Sequence, residues 1–208
     1  MLEISEIFKS LQGEGPFMGR PATFIRLSGC LKPYCPWCDT PHAWEKGTSA
    51  DIESLLKQVA GLKNTLVVIT GGEPFLQWET GLANLERALI ERGYVVQYET
   101  SGRAGIPDSV NGHVVCSPKF IDNRWCFAPA NLPRVDDFKF VVRDNFQFIE
   151  AFIQTAEIPA ENVWIMPLGA TRSAQLDLLA DTWKFCVDRK YNFSPRLHIL
   201  AFDNERGV

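Results

Sequence analysis

Three cysteines that could bind a metal lie within nine positions, in the segment 29–40 (GCLKPYCPWCDT). Cysteine thiolates are ligands of zinc and of iron–sulfur centres. Together with His42, Cys30, Cys35 and Cys38 would complete a closed Cys3His zinc site. The three cysteines alone would suit a [4Fe–4S] cluster whose fourth iron stays open for a reacting molecule. Three unpaired thiols in an apolar core remain a third reading.

The composition is that of an ordered globular protein, with 46% hydrophobic and 12% aromatic residues in a chain of 208. A net charge of −4 argues against a protein that binds nucleic acid by neutralising phosphates. Glu3, Glu6 and Lys9 interrupt the N-terminal segment, which is unlike a signal peptide. The longest apolar runs, such as LVVI at 66–69, are too short to span a membrane. We therefore expect a cytoplasmic protein with reduced cysteines and with no nucleic-acid or membrane partner.

The elements that must position the cysteines alternate between strand and helix. Apolar and β-branched runs predict strands over 22–27, 65–70, 94–100, 113–118, 138–142, 162–167 and 196–200. Apolar residues at helical spacing predict a helix capped by Thr48 or Ser49, and further helices over 82–89, 144–156 and 172–189. The cysteine loop and the other polar motifs follow strand ends, where catalytic groups gather in parallel α/β folds. This convergence indicates an enzyme.

The order of elements predicts an α/β fold with right-handed βαβ units and a mostly parallel sheet. An eight-fold barrel typically needs about 250 residues, which is more than this chain has. We therefore predict a modified partial (β/α)6-type TIM barrel. No repeat or low-complexity linker interrupts the sequence, which predicts a single domain over residues 1–208.

The cysteine loop, Trp37 just before its last cysteine, and a downstream GGEP at 71–74 resemble the radical S-adenosylmethionine (SAM) superfamily. The superfamily spacing is C-x3-C-x2-C, whereas four residues separate Cys30 from Cys35 here. Pro33 lies in this longer spacer, and a loop tolerates one inserted residue. The resemblance implies a barrel of the radical SAM kind in which SAM binds the open iron of a [4Fe–4S] cluster. One electron then cleaves SAM to methionine and a 5′-deoxyadenosyl radical.

Longer motifs narrow the resemblance to the 7-carboxy-7-deazaguanine synthase family over nearly the whole chain. These motifs are SLQGEGPFMGRPATFIRLSGC, WCDTPHAW, GGEP, YETSG, SPK, DDFKFVV and LHILAFDNERGV. The resemblance implies conversion of 6-carboxy-5,6,7,8-tetrahydropterin to 7-carboxy-7-deazaguanine with loss of ammonia, a lyase reaction on the route to queuosine. It begins with hydrogen abstraction at C6 of the pterin. The implied cofactors are the [4Fe–4S] cluster, SAM and Mg²⁺, and the implied partners are an electron donor such as flavodoxin or ferredoxin and a second copy in a homodimer.

Several residues suit the pterin chemically. Glu14, with Gln12 as an amide partner, could accept the adjacent N–H groups of the amino-pyrimidinone edge, although a Gly-Glu-Gly turn with a solvated carboxylate is the simpler reading. Arg26 could fork onto the substrate carboxylate, or form an intramolecular salt bridge with a nearby acid. The resemblance implies that Thr40 offers its hydroxyl to Mg²⁺, whereas Asp-Thr-Pro is also a common turn or helix cap.

The resemblance also assigns residues near the two small molecules. The implied substrate-binding residues are Gln12, Glu14, Arg26, Gly71, His198 in the last predicted strand, and the terminal Val208. The implied SAM-binding residues are Trp37, Gly72, Glu73, Glu99, Ser101, Ser117 and Lys119. Two alternatives remain at this point: a glycyl-radical activating enzyme, which would share the cysteine loop but act on a protein, and a non-enzymatic Cys3His zinc module.

Overall fold

The computed structural model describes residues 1–205 and 207. The chain divides into two compact units, each assembled from two segments. The first unit comprises Met1–Ser10 and Pro21–Val135, and the second comprises Leu11–Arg20 and Asp136–Val208. The single domain predicted over residues 1–208 stays a prediction.

The first unit contains a largely parallel sheet. Its strands are β1 (Leu2–Leu11, whose last residue falls in the second unit), β2 (Pro21–Leu27), β3 (Thr48–Ala50), β4 (Leu66–Gly71), β5 (Val95–Thr100) and β6 (His113–Cys116), followed by a hairpin of β7 (Lys119–Ile121) and β8 (Arg124–Cys126). Its helices are α1 (Ile52–Leu62) and α2 (Ala83–Glu91). The strand order is β6-β5-β4-β2-β1-β3, and β2, β4, β5 and β6 pair in parallel. The carboxyl ends of these four strands therefore share one edge.

The core of the first unit explains why these segments fold as they do. In β4, the residues Leu66, Val67, Val68 and Ile69 are all fully buried, as expected of a central parallel strand that is covered on both faces. Helix α1 places its apolar side chains on the same core, among them Leu55.

The predicted cap of α1 was wrong. Thr48 and Ser49 lie in β3, where they pair with Ile4 and Glu3 of β1. Asp51 caps the helix instead, because its carboxylate accepts a hydrogen bond of 2.8 Å from the backbone N–H of Ser54.

In the described part of the second unit, residues 11–20, 136–205 and 207, there are three parallel strands and three α-helices. The strands are β9 (Asp137–Val142), β10 (Val163–Pro167) and β11 (Asn192–Phe193), in the order β11-β10-β9. The helices are α3 (Phe146–Thr155), α4 (Arg172–Arg189) and α5 (Leu197–Phe202). The alternation of parallel strands with helices in both units confirms the predicted α/β class.

The strand predicted over 196–200 was wrong, because this segment forms α5. The backbone N–H of Leu197 donates to the Gly13 carbonyl at 3.0 Å, and that of Leu200 donates to the Arg196 carbonyl at 3.0 Å. The edge position beside β10 is taken by β11. His198 therefore lies on a short helix rather than on a strand.

None of the helices within residues 1–205 and 207 is both long and apolar enough to cross a membrane.

Candidate active site

The three loop cysteines are free thiols that are partly exposed after the end of β2. Burial raises the pKa of Cys30, and the Glu73 carboxylate and the Cys35 thiol raise it further. Burial likewise raises the pKa of Cys35, as does the neighbouring Cys38. A metal ion that binds these thiols must therefore displace their protons.

The arrangement of the thiols distinguishes the two metal readings. Across residues 1–205 and 207, no three His, Cys, Asp or Glu side chains form a group that could hold one metal ion. His42 instead places its Nε2 atom 3.4 Å from the Glu6 Oε1 atom. A closed Cys3His zinc site would require His42 to leave Glu6 and meet the three cysteines at one ion. In a [4Fe–4S] cluster each cysteine binds its own iron, so three reduced thiols in one loop fit that group.

Two more predicted residues lie in this loop. The Thr40 hydroxyl lies 3.7 Å from the Cys38 sulfur and does not cap the short 3₁₀ helix Pro41–Ala43 that follows it. The Trp37 ring, predicted near the adenine of SAM, is 38% exposed.

Gly71 and Gly72 allow the end of β4 to approach the start of the cysteine loop. A Cβ at Gly71 would overlap the Leu27 carbonyl, and Gly71 has a φ of 142°, which disfavours other residues. The backbone N–H of Gly72 donates to the Leu27 carbonyl at 3.1 Å, and that of Glu73 donates to the Gly29 carbonyl at 2.8 Å. These two N–H groups therefore hold the base of the cysteine loop. An ammonium group is a hydrogen-bond donor, so the backbone atoms that could accept from it are carbonyl oxygens.

The Glu73 carboxylate is buried at the ends of β4 and β5, with 1% of the residue exposed. Its Oε1 atom accepts a 2.6 Å hydrogen bond from the Thr100 hydroxyl. Its Oε2 atom accepts from the Ser101 hydroxyl at 2.5 Å and from the Ser101 backbone N–H at 3.1 Å. Burial raises the pKa of Glu73, although these hydrogen bonds oppose the shift. The structure thus joins Glu73 to Ser101, a second residue that the resemblance assigns to SAM, and adds Thr100, whose position in YETSG was an available signal.

The later strand ends hold the remaining predicted SAM residues. Lys119 donates from its Nζ atom to the Ser117 hydroxyl at 2.7 Å, so these two residues are in contact. Glu99 accepts a 2.8 Å hydrogen bond from the Gln97 side chain. The Ser117 backbone N–H donates to the Thr100 carbonyl at 2.8 Å, which links this group to the residues around Glu73.

Arg26 forms a salt bridge with Glu6. An intramolecular salt bridge was the second interpretation of this arginine from the sequence. The Arg26 Nε atom lies 2.6 Å from the Glu6 Oε1 atom. Burial raises the pKa of Glu6, but the hydrogen bond and charge of Arg26 outweigh it and leave the pKa below its ordinary value. A guanidinium has five N–H donors, so pairing through Nε is compatible with a second carboxylate on its other nitrogens.

In the second unit, Glu14 is not a solvated turn residue. Its Oε2 atom lies 2.7 Å from the Lys139 Nζ atom, and its Oε1 atom lies 2.8 Å from the Arg196 Nε atom. The His198 Nε2 atom lies 4.0 Å from Oε1. Burial raises the pKa of Glu14, but the charges of Lys139, Arg196 and His198 outweigh it and hold the pKa well below its ordinary value.

Gln12 and His198 complete this group. Gln12 is 3% exposed, and its Oε1 atom accepts from the Glu14 backbone N–H at 3.3 Å. Gly13 has no room for a side chain, because a Cβ there would overlap the His198 ring. The sequence analysis did not identify Lys139 and Arg196 as partners of Glu14. A signal existed for Lys139, which is a lone charge in the apolar run FKFVV. Val208 lies outside the described residues.

No protein-family model matches the chain. Two curated 7-carboxy-7-deazaguanine synthases are similar to it over almost their whole lengths. The protein of Hyperthermus butylicus is 37% identical over 221 residues, which cover 97% of this chain and 93% of the relative. The protein of Pyrobaculum aerophilum is 36% identical over 219 residues, covering 99% and 97% respectively. The crystal structure of QueE from Escherichia coli is similar with a TM-score of 0.80 and 30% identity, covering 95% of this chain and 94% of that one. This match confirms the predicted fold class.

Proposed function

The chain belongs to the 7-carboxy-7-deazaguanine synthase family, and from that membership we propose that it makes 7-carboxy-7-deazaguanine from 6-carboxy-5,6,7,8-tetrahydropterin with loss of ammonia. This places it among the radical SAM lyases of queuosine-type deazapurine biosynthesis. The observation that carries the proposal is the position of Glu73 at the strand edge. Its buried carboxylate accepts a hydrogen bond from Ser101, and its backbone N–H holds the base of the three-cysteine loop.

Cys30, Cys35 and Cys38 would hold the [4Fe–4S] cluster. The support is their donor chemistry: all three are free and partly exposed in one loop. When bound, the cluster supplies the electron that cleaves SAM, and SAM supplies the carbon radical that removes hydrogen from C6 of the pterin. The hard chemistry belongs to these groups, while the protein orients the substrate and limits access of water.

Glu73 would accept hydrogen bonds from the ammonium of SAM. Its burial disfavours the ionised carboxylate, as the raised pKa shows. An adjacent positive charge favours the ionised form and lowers the pKa again. Ser101, Ser117, Lys119, Glu99, Gly72 and Trp37 are proposed to contact other parts of SAM, and the mutual contacts of Ser117 and Lys119 support a shared site for these two.

Glu14 would accept the N–H groups of the pterin edge. The neighbouring cations keep its pKa well below the ordinary value, so the carboxylate stays an acceptor at neutral pH. Gln12, which hydrogen-bonds to the Glu14 backbone, and His198 would assist it, and Gly71 and Arg26 would serve the substrate as well. Val208 is proposed for the substrate on the resemblance alone.

Thr40 would offer its hydroxyl to Mg²⁺. Support comes from its side chain, which lies beside Cys38 rather than capping the following helix. Mg²⁺ keeps several waters and binds few protein groups, so a site of this kind need not gather three acidic side chains. The metal would orient the substrate and stabilise charge on its oxygens.

A second copy of the chain and an electron donor are the proposed partners. On α4, the exposed Leu176, Ala180, Trp183 and Val187 follow a spacing of four, three and four residues. This is the spacing of an apolar helix–helix seam, and it supports a homodimer formed through α4. Leu176, Trp183 and Val187 are 53%, 58% and 64% exposed. A low-potential donor such as flavodoxin or ferredoxin, and a cytoplasmic location with reduced thiols, complete the proposal.

The test is an anaerobic assay after reconstitution with iron and sulfide. We expect conversion of carboxytetrahydropterin to 7-carboxy-7-deazaguanine that depends on SAM and increases with Mg²⁺. Absence of SAM cleavage would refute the radical SAM reading. Cleavage without conversion of the pterin would retain that reading but refute this substrate, and would favour an activating enzyme that acts on a protein.

A further inference from the structure

The spacer between Cys30 and Cys35 is one residue longer than the C-x3-C spacing, and a single side chain contacts most of it. Arg103, in the loop after β5, donates from Nη1 to the carbonyls of Leu31 at 3.1 Å and Pro33 at 2.9 Å. It also donates from Nη2 to the carbonyl of Lys32 at 2.7 Å. One guanidinium therefore bonds three consecutive carbonyls of the spacer.

The backbone on both sides of Arg103 is held by a buried side-chain amide. Asn131, which is 2% exposed, donates from Nδ2 to the carbonyls of Gly102 at 2.9 Å and Ala104 at 2.8 Å. Its Oδ1 atom accepts from the Ile106 backbone N–H at 2.9 Å. The residues on both sides of Arg103 are thus fixed to the unit, so the guanidinium projects from a rigid support.

The fourth spacer residue is fixed by a different contact. The Tyr34 ring stacks on the Trp44 ring with a centroid distance of 4.1 Å and an interplanar angle of 11°. Lys32 adds its Nζ atom at 5.8 Å from the centre of the Tyr34 ring. Each of the four spacer residues therefore has a contact that restrains it.

We propose that Arg103 is a positioning residue that holds the lengthened spacer, residues 31–34, in the conformation that presents Cys30 and Cys35 to the iron–sulfur cluster. A free spacer would lose conformational entropy each time the thiols bound iron. The three hydrogen bonds from a charged donor impose that order within the protein itself, so less entropy remains to be lost when the thiols bind iron. The inference rests on the proposed function for the identity of the metal group, but the contacts of Arg103 with the spacer lie within the protein chain itself.

The first test uses metal-free protein and limited chymotrypsin digestion, with cleavage after Tyr34 measured by mass spectrometry. Arg103→Met removes the donors and keeps an apolar stem, and we expect cleavage at Tyr34 to accelerate by about tenfold, as for loss of one to two net hydrogen bonds. Arg92→Met is the matched control, because Arg92 donates at 2.9 Å to the Ala88 carbonyl of α2, remote in sequence from the spacer. The control should leave cleavage at Tyr34 unchanged.

The second test measures iron bound after anaerobic reconstitution and its rate of loss to a chelator. We expect Arg103→Met to lose iron about tenfold faster than the wild type, and Arg103→Lys, which keeps an ionic donor, to be intermediate. Unchanged unfolding midpoints would show that the effect is local, and if Arg103→Met fails to fold, Arg103→Lys carries the comparison.

The proposal is overturned if Arg103→Met matches the wild type in both cleavage and iron loss, or if Arg92→Met produces the same changes. A wild-type protein that binds no cluster would instead refute the proposed function. In that case the digestion of metal-free protein still decides whether Arg103 holds the spacer.

Discussion

The Glu14–Lys139 pair lets a substrate role be separated from a structural one. The two charges lie 2.7 Å apart with side chains only 15% and 5% exposed. At an effective dielectric constant of about 20 they attract by roughly 6 kcal/mol, and loss of hydration offsets more than half of that. We therefore expect a net coupling of about 2 kcal/mol, which lies within the range measured for contacting residues.

The perturbation is a double-mutant cycle of Glu14→Gln, Lys139→Met and the double variant, with the free energy of unfolding measured in urea. Each single variant leaves a buried charge without one partner and should lose about 3 kcal/mol. The double variant should lose about 2 kcal/mol less than the sum of the two single losses.

Acid provides an internal check on Glu14. Its pKa in the folded protein is well below its ordinary value, which is about 4.3 in unfolded chains. The ionised carboxylate therefore stabilises the fold fully above that pH, and this contribution is lost as the pH falls through the folded pKa. Glu14→Gln should remove this part of the acid dependence and leave the remainder.

The functional assay compares substrate turnover with uncoupled SAM cleavage. If Glu14 binds the pterin edge as proposed, Glu14→Gln removes a charged acceptor there and should raise the substrate dissociation constant about 30-fold, equivalent to about 2 kcal/mol. Lys139→Met keeps the carboxylate and should have a smaller effect, while both variants should still cleave SAM. Equal loss of turnover in the two variants would refute a substrate role for Glu14, and zero coupling in the cycle would refute the ion pair.

Three further predictions concern other parts of the chain. Glu73→Gln should weaken SAM binding at least about tenfold in equilibrium dialysis, because a neutral amide no longer complements an ammonium; unchanged binding would remove Glu73 from the SAM site. Thr40→Ala should blunt the stimulation by Mg²⁺, and an unaltered metal titration would exclude Thr40 as a ligand. Trp183→Glu should shift the protein to monomer in analytical ultracentrifugation, since a charge would enter the apolar seam; a persisting dimer would place the interface elsewhere.

Local sequence signals were sufficient for β2, β4, β5, β6, β9 and β10 and for the residues at their ends, whereas β1, β3, β7, β8 and β11 were not predicted. The apolar run LVVI predicted β4. Glu73 lies just after this strand, and parallel strands present their carboxyl ends at one edge, so Glu73 could be predicted to lie at that edge. Two missed features also had local signals. Asp51 stands three residues before Ser54, which is the spacing of an N-cap, and Asp122-Asn123, both with positive φ, form the turn of the β7–β8 hairpin.

Other features had no local signal because distant contacts determine them. The run RLHIL is compatible with a strand or with a helix. In the structure it is helical, and the backbone N–H of Leu197 donates to the carbonyl of the distant Gly13. Arg196 reaches Glu14 across 182 residues and Lys139 reaches it across 125. No spacing rule could have joined these three charges.

The cysteine loop shows how the same strand edge can serve structure and chemistry at once. Its base is held by the backbone of Gly72 and Glu73, and the Gly29 N–H closes the loop on the Ala43 carbonyl at 2.9 Å. Arg103 then fixes the spacer that the base leaves unrestrained. A longer spacer has more conformations to lose, so it needs an additional restraint if the thiols are to be arranged before metal binds. The inserted residue and Arg103 are therefore best understood together, the first as a source of freedom in the loop and the second as the contact that removes it.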